Sequence, residues 1–142
     1  MATVSNLIDG RVGVVSVSPE TTVRDAAGLM NERRIGAVLV MDGEHLVGIF
    51  SERDVLRRVV AEGVDPATTP VGKVMTSEVV YCQPGATLDE VKSIFKRRRV
   101  RHLPVMEPGG KVLGVVSIGD VNAHDLDDSQ AELTYLREYL FS

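Results

Sequence analysis

The sequence predicts an α/β fold, α+β in its small mixed sheets, built from two copies of one β-α-β-β-α unit packed with pseudo-twofold symmetry. Three observations carry this. The stretch "GIFSERD" at Gly48 to Asp54 returns as "GVVSIGD" at Gly114 to Asp120, 66 positions later. "SPETTVRDAAGLMNERRIGAVLVMDGE" from Ser18 lies over "QPGATLDEVKSIFKRRRVRHLPVMEPG" from Gln83 at an offset of 65, matching Pro19 to Pro84, Thr22 to Thr87, Arg34 to Arg99 and Val40-Met41 to Val105-Met106. Strand, turn and helix signals then fall in the same order in both copies. A chain of 142 residues, 44% hydrophobic and 25% charged, can bury one substantial core or two half-sized ones that share an interface. A three-stranded sheet of this size cannot cover both its faces alone, so the copies should pack together, with a ligand-sized cleft between them.

The elements follow in order. "VVSV" (Val14 to Val17) and "VVYC" (Val79 to Cys82) read as short strands, each stopped by a proline two residues on. A helix follows in each copy. Thr22 with Asp25, and Thr87 with Glu90, have capping-box spacing, and Val23, Ala26, Ala27 and Met30 then share a face, as do Leu88, Val91, Ile94 and Phe95. Two strands come next around a tight turn: "AVLVM", Asp42-Gly43, "LVGIF", and in the second copy "LPVM", "EPGG", "KVLGVV". A last helix begins at each Ser-x-x-Asp, with Val55, Leu56, Val59 and Val60 as the expected buried stripe of the first. The first copy spans 1–62, a linker 63–70, the second copy 71–126, and a terminal helix 127–142, "SQAELTYLREYLF" at its heart. Its Leu133, Leu136 and Leu140 make a stripe expected to cover the core or a second subunit.

Several function classes are argued against. No apolar run approaches the ~20 residues that cross a bilayer. The start "MATVSNLIDG" lacks a basic region followed by an apolar stretch, and Cys82 is the sole cysteine, so a reducing cytoplasm is expected. A net charge of −4 and the absence of Trp speak against nucleic acid as the main partner, although "KRRRVRH" at Lys96 to His102 is a local basic stretch. No nucleophile elbow, P-loop or G-x-G-x-x-G is present, so no enzyme class is favoured. With one cysteine and three scattered histidines, no metal site is expected.

"RIGAVLVMDGEHLVGIFSERD", "VRHLPVMEPGGKVLGVVSIGD" and "VGKVMTSEVV" together resemble a tandem pair of cystathionine-β-synthase (CBS) domains, a Bateman module, over about Val4 to Asp125. The resemblance is to small stand-alone bacterial CBS pairs. It implies a regulatory module without catalytic residues that binds adenosine compounds, AMP or NAD foremost and ATP or S-adenosylmethionine as further candidates, between the two motifs. It also implies a homodimer and a regulated protein partner that the sequence does not name. One implied site joins Asp120 (ribose), Ser117 and Gly119 (phosphate) with Gly13, Val14 and Val15 and with Ile35, Gly36 and Ala37 around adenine. The other joins Asp54 (ribose), Ser51 and Arg53 with Thr76, Val79, Val80 and Val100, and with Arg101 and His102 near phosphate.

The chemistry is compatible with that implication. A carboxylate accepts two hydrogen bonds side by side, which suits vicinal ribose hydroxyls. A helix start offers unpaired N–H groups to phosphate, and a glycine there permits close approach. Plainer readings stand beside these: each Ser-x-x-Asp as a helix cap, Lys96 and Arg97 as a solvated helix end, Cys82 as a small apolar core residue. The alternatives to a nucleotide sensor are a nucleic-acid-binding or redox-responsive regulator, or a nucleotide binder without a relay.

Overall fold

The computed structural model describes residues 2–8 and 14–126; Gly13 and the expected terminal helix over 127–142 lie outside them. The elements are α1 (Val4–Ile8), β1 (Ser16–Val17), α2 (Val23–Arg33), β2 (Ala37–Asp42), β3 (His45–Ser51), α3 (Glu52–Asp54) running into a π-helix over Val55–Val60, a 3₁₀ turn over Val71–Lys73, α4 (Leu88–Arg98), β4 (His102–Met106), β5 (Val112–Ser117) and α5 (118–126). Both long helices begin as the spacing requires. The Thr22 hydroxyl accepts the Asp25 N–H and the Thr87 hydroxyl the Glu90 N–H, each at 3.2 Å.

The repeat is visible in the hydrogen-bond register. The β2-β3 hairpin pairs Ala37 with Ser51, and the β4-β5 hairpin pairs the equivalent His102 with Ser117. Both hairpins slip by one residue at the same place, between Val40 and Met41 and between Val105 and Met106. The leading strands differ. β1 runs parallel to β2, whereas the strand expected over Val79 to Cys82 is reduced to one parallel bridge from Cys82 to Val105. The cause is Pro104. In the first copy Leu39 N–H donates to the Val15 carbonyl at 3.3 Å; Pro104 stands where Leu39 stands and has no N–H to offer Val80.

Each copy sends its leading segment to the other half. Val4 N–H donates to the Ala86 carbonyl at 2.9 Å and Ser5 N–H to that of Pro84 at 3.0 Å, so α1 lies on the second copy. Reciprocally, Val71 N–H donates to the Thr21 carbonyl at 2.7 Å and Gly72 N–H to that of Pro19 at 2.9 Å. The two cores record the exchange. One gathers Val23, Ala26, Met30, Val38, Val40 and Phe50 with Val71 and Val74; the other gathers Leu88, Val91, Phe95, Leu103, Val105 and Val116 with Val4.

Gly48 makes the exchange possible on the first copy, whereas Gly114 would tolerate a methyl. A Cβ on Gly48 would meet Met75 Cγ at 2.9 Å and the Thr76 carbonyl oxygen at 3.0 Å, and one on Gly114 would meet Ile8 Cγ2 at 3.6 Å. Gly48 is therefore the notch into which the exchanged segment fits, with Thr76 N–H donating to the Ile49 carbonyl and Ile49 N–H to that of Thr76, both at 2.9 Å.

The expected stripe after Asp54 is corrected. Val59 is buried and Val55 half-buried, but Leu56 and Val60 are 62% and 66% exposed. Ala61 N–H donates to the Leu56 carbonyl, five residues back, at 3.0 Å. This wider π winding turns the 56/60 pair away from the 55/59 pair, and only the latter reaches the core.

Candidate functional site

Each Ser-x-x-Asp lies where a hairpin's second strand gives way to a helix. Ser51 is still extended (φ −123°, ψ 168°) while the following residues are helical. Its hydroxyl accepts the Asp54 N–H at 3.3 Å, and Asp54 Oδ2 accepts the Ser51 N–H at 3.0 Å, a complete capping box. Ser117 and Asp120 repeat it, the Asp120 N–H reaching Ser117 Oγ at 3.1 Å and the Ser117 N–H reaching Asp120 Oδ2 at 2.9 Å. Both motifs therefore do cap their helices.

Beyond the cap the two aspartates diverge. Asp54 is 6% exposed, accepts the Thr76 hydroxyl at 3.1 Å and the Ser51 hydroxyl at 3.2 Å, and pairs with Arg58 Nε at 3.7 Å. Arg58 Nη1 in turn donates to the Met75 carbonyl at 2.7 Å. Asp54 is thus the hub that ties the exchanged 74–76 segment to α3. Asp120 is half-buried and borders a cavity between the two halves.

That cavity measures about 420 Å³. The first copy supplies Val14, Val15, Ile35, Gly36 and Ala37, and the second supplies Ser117 and Asp120, so the expected first grouping is brought together except for two residues. Gly13 lies outside the described residues. Gly119 is exposed and borders the other cleft. The sequence reading missed Arg34, Gly114 and Val115 here. The match of Arg34 to Arg99 across the repeat was the available signal for Arg34.

A second, wider cleft of about 790 Å³ brings together Ser51, Arg53, Asp54, Thr76, Val100, Arg101 and His102 as expected. Val79 and Val80 do not border it. Pairing of Cys82 with Val105 carries the chain onto β4, and Val80 packs against the second core instead. Arg57 joins the cleft unforeseen, Arg99 borders it beside Arg101, and Arg53 Nη1 donates to the Arg99 carbonyl at 3.2 Å, tying α3 to the end of α4. Four arginines against Glu52 and Asp54 make this cleft cationic.

Gly36, His102 and Ser117 border both spaces. His102 holds the position of Ala37 in the other copy, so a bulky imidazole replaces a methyl on one side of the pseudo-axis only. Burial pushes its pKa below the ordinary value and Arg101 adds to that, while Glu52 and Asp120 pull the other way. Cys82 sits in the second core, where burial lifts its thiol to about 11 and keeps it protonated, as suits a packing residue rather than a redox sensor. Among the described residues no group of three or more His, Cys, Asp or Glu is gathered to hold a metal, and no helix is long and apolar enough to cross a membrane.

Comparison with known proteins agrees with this architecture. A family model for the CBS domain matches residues 9–61 and again 71–126. The CBS domain-containing protein YhcV of Bacillus subtilis is 32% identical over 118 residues, 83% of each chain. The solved structure of a putative signal-transduction protein with CBS domains from Burkholderia ambifaria is 37% identical with a TM-score of 0.85, over 89% of this chain and 96% of that one. A CBS domain protein from Pyrobaculum aerophilum, solved in complex with AMP, is 25% identical with a TM-score of 0.75, over 84% and 89%. With two matched copies, the exchanged leading segments and a Ser-x-x-Asp at each hairpin end, the chain belongs to the CBS domain family and comprises one CBS pair.

Proposed function

We propose that the chain is a regulatory module that binds an adenine nucleotide in the 420 Å³ cavity between its two CBS copies and relays occupancy to a partner protein without catalysis. The observation that carries this is the make-up of the cavity: an apolar slot of Val14, Val15, Ile35 and Ala37 facing one carboxylate, Asp120, and the Ser117 hydroxyl. Such a slot suits a flat aromatic base, and a carboxylate beside it suits vicinal ribose hydroxyls. Ser117 and His102 face the phosphate side. The AMP complex of the Pyrobaculum relative supports an adenosine ligand here.

The second cleft is the weaker site in this reading. Asp54 has its ribose-accepting capacity committed to Ser51, Thr76 and Arg58, and would have to give up some of those bonds to take a sugar. AMP and NAD fit the first cavity's chemistry equally at the adenosine end. ATP and NAD would extend toward Arg53 and Arg101, since the two spaces meet at Gly36, His102 and Ser117. The module acts in the cytoplasm as a homodimer, an assembly supported by the outward apolar pair Leu56 and Val60.

Calorimetric titration with AMP, ATP, NAD and S-adenosylmethionine tests the proposal. At least one should bind with one dominant site per chain. Failure of every adenosine compound to bind the intact chain would overturn it.

A further inference from the structure

Arg34 and Arg99 follow the last residues of α2 and α4 at equivalent positions, and both adopt the left-handed conformation, φ 55° ψ 46° and φ 53° ψ 40°. They are the positive-φ residues other than glycine among those described. Glycine is the usual occupant of such a helix end and asparagine the usual substitute, because a larger L side chain is disfavoured there. The helix ends themselves do not call for arginine: the Arg34 N–H closes α2 on the Met30 and Asn31 carbonyls, which any non-proline residue would do. Neither guanidinium makes a hydrogen bond or ion pair with a described residue. Each borders one of the two spaces, Arg34 the Asp120 cavity and Arg99 the wider cleft.

Among the described residues the ionisable side chains of the Asp120 cavity are Arg34, His102 and Asp120. His102 is held toward its neutral form by burial. Arg34 is then the one permanent cation facing the Asp120 cavity among the described residues, and a guanidinium fork matches a phosphate geometrically as well as electrostatically. We infer that Arg34 is the specificity residue of this site, selecting nucleoside phosphates over uncharged or cationic nucleosides, and that its left-handed backbone is retained for that purpose. The inference rests on the adenosine reading above and adds the charge of the ligand to it.

Two variants test it. Arg34→Gln removes the charge and keeps the unfavourable backbone; Arg34→Gly removes the charge and relieves the backbone. The unaltered chain should bind AMP at least about tenfold more tightly than adenosine, and in both variants the ratio should fall to about threefold or less through a loss of AMP affinity. Arg34→Gly should also melt above Arg34→Gln, so that loss of AMP preference accompanies gain of stability and is not a folding defect. Retention of the full AMP preference in both variants, or no preference in the unaltered chain, overturns the inference alone. No binding of either compound by the unaltered chain overturns the adenosine reading and the inference together.

Discussion

Gly36 and His102 meet across the pseudo-twofold interface: a Cβ on Gly36 would stand 3.1 Å from His102 Nε2 and 3.6 Å from Glu52 Oε1. Both residues border the two ligand-sized spaces, which meet at this contact. An alanine at 36 would have to displace the imidazole by a few tenths of an ångström, and a larger residue would narrow both openings.

The motif glycine and the helix glycine should respond in opposite directions. Gly48→Ala drives a methyl into Met75 and the Thr76 backbone and should cost roughly 1–3 kcal/mol as overpacking. Gly28→Ala in α2 meets nothing within 4 Å and should stabilise by roughly 0.5–1 kcal/mol. Urea unfolding of the two variants measures both, and a neutral Gly48→Ala would contradict the notch.

The two aspartates should separate stability from binding. Asp54→Ala strands the half-buried Thr76 hydroxyl and Ser51 N–H and takes the partner from the half-exposed Arg58, and should destabilise by roughly 2–4 kcal/mol. Asp120→Ala removes a half-exposed cap and should cost about 1 kcal/mol. Thermal melts compare them directly, and equal losses would contradict the division of roles.

This division marks how far the sequence could be read. The repeat, the hairpins and the helix starts follow from local chemistry, so the offsets of 65 and 66 and the Thr and Ser-x-x-Asp spacings expose them. The exchange of leading segments and the engagement of Asp54 depend on contacts between distant residues such as Thr76 with Asp54, which no local spacing encodes. Pro104 was in view, but its consequence required knowing that Leu39, its counterpart, donates to Val15. Likewise Leu56 and Val60 obeyed a 3.6-residue period, and the helix took a π winding instead.

His102 should make stability and binding respond to pH. Its folded-state pKa lies below the ordinary value of 6.5, so the unfolded chain binds the proton more readily. Its effect is absent above the ordinary value, and stability is lost as pH falls below it toward the folded-state value. His102→Gln should flatten that acid limb in melts taken from about pH 8 to about pH 5. An anionic ligand facing His102 favours its charged form, so AMP affinity should rise as pH falls over the upper part of this range, and a pH-independent affinity would place the phosphate elsewhere.

Relay should appear as protection away from the pocket. Arg58 couples the π-helix after α3 to the Met75 carbonyl, and Val71 and Val74 sit in the first core, so a ligand that fixes the two halves should slow amide exchange over residues 61–75 together with 117–120. Protection confined to the cavity residues would describe a binder without a relay.

In the proposed complex Asp120 takes the ribose hydroxyls of an adenine nucleotide in the shared cavity. A cycle that pairs Asp120→Ala with removal of a ligand hydroxyl, using calorimetry with AMP and 2′-deoxy-AMP, decides this. The unaltered chain should prefer AMP by about tenfold or more, the equivalent of ~1.4 kcal/mol, and Asp120→Ala should bind the two nucleotides alike. A preference for AMP that persists undiminished in Asp120→Ala would contradict the claim.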